Sequence, residues 1–370
     1  EILADINEWI VAAAMEQYPE VAVERSKPKN SSDAPQDPDE DDLPPNNGKM
    51  ILDATCTPAD ITYPTDLKLV NKAREKTQEV IDVLHVPDIG TKRKPRTYRQ
   101  VARKSYLEVA KQKKPGYQKI RKAIGSQLRC LKRNLHTIEA MVDQGRLGLL
   151  GKRKHRNLLV AQELYRQQLW MYEKGVHSIE HRIVSISQPH VRPIVRGKAG
   201  SNVEFGAKIS VSLINGFSFV DRINWESYNE SGDLKMQIEN YFQRFRCYPV
   251  AVQADKIYRT RANRAYCKTH GIRMSGPPLG RPPKHVSAED RKQAAADEAI
   301  RNQVEGKFGQ GKRRFGLGRI MAKLASTSAA QISLSFLVMN LDRTLAGFFF
   351  SILLLCHGWA RLIFARRTAC

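Results

Sequence analysis

The sequence predicts a mixed α/β domain interrupted after its first strand by a basic helical insertion. Three observations lead there. Short apolar or alternating runs bounded by Pro, Gly and Asn read as strands: KMILDATC, HRIVSIS, HVRPIVR, VEFGAKISVSL, GFSFVDRI and YPVAVQAD. Long stretches with apolar residues at helical spacing separate the first strand from the others. The resulting order, strand, helical insert, two strands, then alternating helices and strands, describes one sheet assembled from both sides of the insert.

Composition sets the outer limits. The chain has 370 residues, 41% of them hydrophobic, which is enough for real cores and excludes a wholly disordered polymer. Its 61 Lys and Arg against 38 Asp and Glu give a formal charge of +23, which favours a polyanionic partner. The six cysteines are scattered without a C-x-x-C pair, which argues against a disulfide framework or zinc ribbon and fits a reducing cytoplasm. Nothing in the first thirty residues has the pattern of a signal peptide, and the opening Glu1 leads us to expect a missing front segment.

The elements follow in order. Residues 1–24 form an N-terminal helical remnant, with Ile2, Ile6, Trp9, Ile10 and Ala13 on its apolar face. Residues 25–47, Pro-rich and acidic, have almost no large apolar side chain and read as a linker. Residues 48–66 hold the first strand, which carries Asp53, and a turn-rich segment. The basic helical insertion spans 67–180: a helix over about 67–84, then a hairpin. The hairpin seams are Ile120, Ile124, Leu128, Leu131, Leu135, Ile138, Val142 and, after a Gly-rich turn, Leu158, Ala161, Tyr165, Leu169, Tyr172, Val176, Ile179. Residues 181–342 complete the α/β domain, with helices over about 234–245 and 261–270 and a long polar helix from Ser287. Residues 343–370 form an apolar tail; its run of about twelve apolar residues falls short of the roughly 20 a bilayer span needs, so no membrane partner is expected.

Three acids stand out. Asp53 sits inside an apolar strand, where a carboxylate is costly unless it binds something. Asp255 directly follows the run Val250–Ala254, so if the two strands are neighbours both acids reach one end of the sheet. Glu305 shares a helix face with Arg301 and Lys312, within about 40° at helical periodicity, provided the helix survives Gly306, Gly309 and Gly311. Carboxylates converging in one cleft repel, and hard divalent cations resolve the repulsion; such a site suits two-metal phosphodiester chemistry.

Four local sequences carry a resemblance: ILDATCTPADITYPTDL, VEFGAK, ADKIYRTRANRAYC followed by GIRMSGPPLGRPPK, and RNQVEGKFGQGKRRFGL. Together, and in family order from about Gly48 to Asp342, the chain resembles DDE transposases of bacterial insertion sequences, in particular family five within the larger family-four group. The resemblance implies an RNase H-like catalytic domain whose acids Asp53, Asp255 and Glu305 are catalytic and hold two Mg²⁺ or Mn²⁺ ions. It also implies action on terminal inverted repeats and target DNA, a synaptic homodimer, and a bacterial cytoplasmic, nucleoid-associated location. The family signature Tyr-x2-Arg-x3-Glu-x6-Lys is met by Arg301, Glu305 and Lys312, but Glu298 stands at the tyrosine position. Arg301 and Lys312 are expected to grip phosphates, and Tyr258 and Arg259 to hold a flipped base or a phosphate.

Between Thr91 and Arg133 there are sixteen cations and one acid, Glu108. So lopsided a block leaves self-repulsion uncompensated, and we expect it to contact a phosphate backbone through Lys92, Arg93, Lys94, Arg96, Lys119, Arg121 and Lys122. The resulting reading is a transposase that cleaves at element ends and joins the freed 3′-hydroxyls to target DNA. An inactive relative that binds ends as a repressor, and a structure-specific RNase H-like nuclease, are the alternatives left open.

Overall fold

The computed structural model describes residues 2–17, 44–86, 93–195, 203–276 and 287–367. In chain order the elements are α1 (Ile2–Gln17), β1 (Lys49–Pro58), α2 (Asp66–Leu84), α3 (Arg99–Ala110), α4 (Tyr117–Asp143) and α5 (Lys152–Lys174). Then come β2 (Arg192–Val195), β3 (Val203–Ile214), β4 (Phe217–Asn224), α6 (Leu234–Phe245), β5 (Ala251–Ala254), α7 (Arg261–Thr269), β6 (Arg273–Met274), α8 (Ala288–Arg314) and α9 (Ala325–Arg367). They fall into two compact units: one of Glu1–Pro58, Gly206–Ala322 and Ser326–Cys370, and one of Ala59–Phe205 with Lys323–Ala325. Of the expected linker 25–47, residues 25–43 lie outside the described residues, as do residues 18–24 of the expected N-terminal helical segment.

The first unit is built on β1. Its alternation sends Met50 and Leu52 to one face of the sheet and Ile51 to the other. On the first face Val11 and Ala14 of α1, Ile238 and Tyr241 of α6 and Cys267 of α7 close one core. On the second, Val304 and Phe308 of α8 with Ile332, Phe336 and Met339 of α9 close another. Each such buried side chain contributes about 1.5–3 kcal/mol, so β1 is fixed from both sides.

β3 runs antiparallel to β1 from Met50↔Ile214 to Pro58↔Gly206, and β4 is antiparallel to β3. The β3–β4 turn is Asn215-Gly216, both with positive φ, the pairing that suits a tight hairpin. β5 joins β1 in parallel and β6 joins β5 in parallel, each reached through a helix. The six strands, in the order β2-β3-β1-β5-β6 with β4 also paired to β3, make an RNase H-like mixed sheet flanked by helices.

α8 runs unbroken through Gly306, Gly309 and Gly311 to Arg314. Ser287 caps it by accepting from the Asp290 N–H at 2.9 Å, with Glu289 and Asp290 in the first turn and Lys312, Arg313 and Arg314 in the last. Acids at the start and bases at the end both oppose the helix dipole, which offsets the glycines.

The second unit, the insertion, is a helical bundle. The seams of α4 and α5 form the expected pair but do not face each other alone: α2 packs against both, with Leu67, Val70 and Ala73 among Ile124, Leu131, Ala161 and Leu164. At its centre lies Arg74, 1% exposed, with Nε donating to Gln127 (2.9 Å) and Nη2 to Asn71 (2.7 Å).

Several expectations are corrected. In α1 the buried residues are Asn7, Val11 and Ala14, whereas Ile2, Ile6 and Trp9 are exposed. Its docking is set by polar pairing, since the Asn7 amide is shared with Asn340 and the Ser218 carbonyl. HRIVSIS is not a strand; Ile183, Val184 and Ile186 are buried in irregular backbone. α5 stops at Gly175, whose φ of +68° ends the helix before Val176 and Ile179. α9 starts well before the apolar tail, so the helix as a whole is longer than the tail suggested. Ala325–Phe350 is long and apolar enough to cross a membrane by length and composition, and a third of its most apolar stretch is buried in the protein.

Candidate active site on the central strands

Leu52 and Ala254 are the last registered pair between β1 and β5. Asp53 and Asp255 therefore follow at the same level on adjacent parallel strands, whose spacing is about 4.8 Å. The juxtaposition expected from the sequence is present. Asp53 is largely buried, and its Oδ1 accepts from the Ala54 N–H at 2.8 Å. Burial, and then the charges of Glu230 and Asp255, push its carboxyl up from 3.8 to about 6, while the Ala54 hydrogen bond and the Arg301 charge pull the other way. Asp255 is exposed; its Oδ1 accepts from the Lys256 N–H at 2.6 Å and caps the short turn Lys256–Tyr258.

α8 packs against both strands. Asp53 shares a strand face with Ile51, which meets Val304 and Phe308 of α8, so its carboxyl lies on the α8 side. Lys312 reaches the same face, donating to the Thr55 hydroxyl at 3.2 Å. Glu305 is exposed and accepts from Arg301 at 3.2 Å. Arg301 in turn donates through Nε and Nη2 to Glu298, at 3.0 and 2.7 Å. The acid at the unmatched tyrosine position thus anchors the arginine that holds Glu305. Among the described residues no three His, Cys, Asp or Glu side chains stand together as a metal-binding group. The structure brings two of the three acids together and leaves the third turned to Arg301.

The neighbours of Asp53 include acids the sequence reading passed over. Glu230 is paired with Lys208 at 2.6 Å. Asp233, 4% exposed, takes a hydrogen bond from Ser210 (2.5 Å) and pairs with Arg222 (2.7 Å). Their only signal was a pair of acids flanking Gly232 in the turn between β4 and α6. Asp221 is wholly buried, with Ser212, Gln237, Asn240 and Arg244 around it. Burial there raises its carboxyl.

Two expected DNA contacts, Tyr258 and Arg259, are engaged with the protein itself in this structure. Tyr258 is 0% exposed within the first-face core, and its hydroxyl has no hydrogen-bond partner among the described residues. Burial, then the negative charges around it, drive its ionisation far above the ordinary phenol range, so the ring is a neutral wall behind the acids. Arg259 donates to the Ala254 carbonyl at 3.0 Å and lies directly over Gly276, where a Cβ would collide with its guanidinium.

In the insertion, Lys92 lies outside the described residues, while Arg93, Arg96, Lys119 and Lys122 are exposed. Lys94 pairs with Asp82 at 2.5 Å, and Arg121 stacks over the Tyr172 ring at 4.5 Å. Arg121 and Tyr172 also line a cavity of about 660 Å³ with Tyr63, Tyr106 and Tyr117. The cysteines Cys56, Cys130, Cys247 and Cys267 are free thiols.

The family described as the transposase DDE domain matches residues 252–342, about a quarter of the chain. The match takes in Asp255, Arg301, Glu305 and Lys312 and leaves out Asp53. No curated protein and no solved structure matches the chain.

Proposed function

Because the chain carries a transposase DDE domain, we propose that it cleaves phosphodiester bonds at the terminal inverted repeats of an insertion sequence and joins the freed 3′-hydroxyls to target DNA. The observation that carries this reading is the placement of Asp53, midway along β1, beside Asp255, just past the end of β5, under a helix bearing Arg301, Glu305 and Lys312. A buried carboxyl pushed up to about 6 by its surroundings and its acidic neighbours is a group that a cation would return to its charged form. The donor set, all carboxylate oxygens, fits a hard divalent ion. Asp53, Asp255 and Glu305 would hold two Mg²⁺ or Mn²⁺ ions, Glu305 after leaving Arg301. Such ions supply Lewis acidity and neutralise charge at the scissile phosphate.

Around them the chain's own groups position the DNA. Arg301, released from Glu305 and still held by Glu298, presents a guanidinium to a phosphate beside the cut. Lys312 adds a second cation on the β1 side. In the first step water attacks phosphorus and the 3′-oxygen leaves as a hydroxyl. In the second, that hydroxyl attacks a target phosphodiester and displaces its 3′-oxygen. Double-stranded DNA is the partner, the working form is a homodimer holding two ends, and the setting is the bacterial cytoplasm at the nucleoid.

A second reading, a non-catalytic DNA-binding relative acting as a repressor, is favoured by one observation: no three-acid metal group stands together among the described residues. One assay separates the two. Labelled element-end DNA is incubated with wild type, Asp53→Ala, Asp255→Ala and Glu305→Ala, in Mg²⁺, Mn²⁺ or EDTA. Metal-dependent cleaved and joined products from wild type, reduced at least about 100-fold in each variant, support the transposase. Binding without product in either metal supports the repressor.

A further inference from the structure

A second concentration of positive charge lies in the insertion, outside the block between Thr91 and Arg133. Lys72 and Lys76 of α2, Lys152, Arg153 and Arg156 of α5, and Lys323 line a recess of about 490 Å³ with Asn157, Ile186, Ser187 and Leu324. No carboxylate is among its lining residues. Two of its cations are engaged, Lys76 with Glu79 (2.7 Å) and Lys323 with Asp60 (2.8 Å), and Arg156 donates to the Ser187 carbonyl (3.3 Å).

The start of α5 is wrong for a helix left to itself. Gly151 gives it no side-chain cap, and its first turn is Lys-Arg-Lys with no acid. The first intrahelical bonds run from the Lys154 and His155 N–H groups to the Gly151 carbonyl, which leaves the N–H groups of Lys152 and Arg153 open. Cations beside the positive end of a helix dipole repel it, and an anion reverses the sign of both effects. A second observation points the same way. Asn157, one turn on, is only 7% exposed and lines the recess, and no protein group among the described residues hydrogen-bonds its side-chain amide. Neither of its amide atoms is sealed from solvent, so the amide is open to a ligand from the recess side.

We infer that this recess is a phosphodiester-binding site that seats the backbone of a DNA strand on the insertion. The inference rests on the DNA-processing reading above. The four cations beyond the pairs of Lys76 and Lys323, namely Lys72, Lys152, Arg153 and Arg156, exceed what one phosphodiester neutralises, and successive phosphates of a strand match them. The open N–H groups and Asn157 take phosphate oxygens, while Lys152 and Arg153 supply charge. Such contacts read no sequence and fall with salt.

The test uses the full-length chain in EDTA, so it does not depend on cleavage, with a labelled duplex of arbitrary sequence. The dissociation constant is followed against salt for wild type, Lys152→Gln/Arg153→Gln and the control Lys268→Gln/Lys292→Gln, which removes equal charge from exposed sites on α7 and α8. Each lost phosphate contact lowers the log–log salt slope by about 0.9, so the recess variant should lose about 2. Its binding should weaken about 10-fold or more near 0.1 M salt, with the control within about 2-fold. Asn157→Asp should weaken binding further than Asn157→Ala. Duplex should also protect Lys72 and Lys152 from acetylation. Equal effects of the two double variants, or no protection, overturn the site. Cleavage by a chain whose recess variant binds normally rejects this inference alone; recess-dependent binding without cleavage rejects the catalytic reading alone. A chain that binds no duplex rejects both.

Discussion

Replacing Asp53 with Asn should stabilise the metal-free protein at neutral pH and blunt its response to divalent cations. The carboxyl titrates at about 6 in the folded chain, against 3.8 ordinarily, because burial and then the charges of Glu230 and Asp255 disfavour its ionised form. A carboxyl raised in this way binds its proton more tightly when folded. Its favourable contribution is full below about pH 4 and is lost as pH rises through 6. At 1.36 kcal/mol per pH unit the loss comes to about 3 kcal/mol by pH 7. Asn keeps the oxygen that accepts from Ala54 and removes the charge. For a unit of this size about 3 kcal/mol corresponds to a rise of roughly 6–12 °C in melting temperature, an upper value because the Asn Nδ2 also needs a partner. The assay is thermal melting of wild type and Asp53→Asn at pH 5 and pH 7.5, in EDTA and across a Mg²⁺ titration. The gap between them should widen with pH in EDTA. With Mg²⁺ at about 100 times its dissociation constant wild type should regain about 2.7 kcal/mol, and the variant should not. A variant melting no higher than wild type at pH 7.5, with the same pH dependence, would refute the reasoning.

Other expectations concern the scaffold. Arg74→Ala strands Gln127 and Asn71 in the buried centre of the insertion and should cost about 3–5 kcal/mol, read as faster proteolytic nicking within 59–205. Gly206→Ala would put a Cβ 2.0 Å from the Thr57 carbonyl oxygen, which belongs to the paired backbone; denaturant unfolding should show a loss of at least about 1–3 kcal/mol. Asp297→Asn breaks the two-pronged pair with Arg273, at 2.7 and 2.8 Å. Arg273 holds the Asp297 carboxyl below its usual range, so that stabilisation is full above about pH 4 and is lost as pH falls. The variant should be about 1.5–3 kcal/mol less stable at pH 7, with the deficit shrinking in acid melts.

What could be read beforehand follows physical lines. β1 and β5 are buried on both faces and therefore announce themselves as apolar runs, and a carboxylate inside the first and directly after the second stands out against that background. The start of α8 is legible because the Ser287 cap and the acidic first turn are local signals. The face of α1 is not, because Asn7 is drawn inward by Asn340 and Ser218, partners more than 200 residues away. Glu230, Asp233 and Asp221 are invisible for the same reason: a polar side chain is buried only where distant groups complete its hydrogen bonds, and spacing carries no trace of them. Tyr258 errs in the opposite direction, since its place after Asp255 suggests a surface role while its ring fills the core behind the acids.

The register of β1 with β3 closes on Pro58 and Gly206, so the chain leaves β1 and joins its partner strand β3 at directly opposed positions. Roughly 150 residues intervene. Closing a flexible loop of that length costs roughly 4 kcal/mol of chain entropy before the first pair can form. A helical bundle made of local contacts assembles quickly on its own terms. Once assembled, it replaces that long loop with a short tether, and the zippering of β1 onto β3 becomes a nearly local event. On this argument the insertion sets the order of events, and pulse-labelled hydrogen exchange during refolding should show protection within 59–205 before protection of β1 and β3.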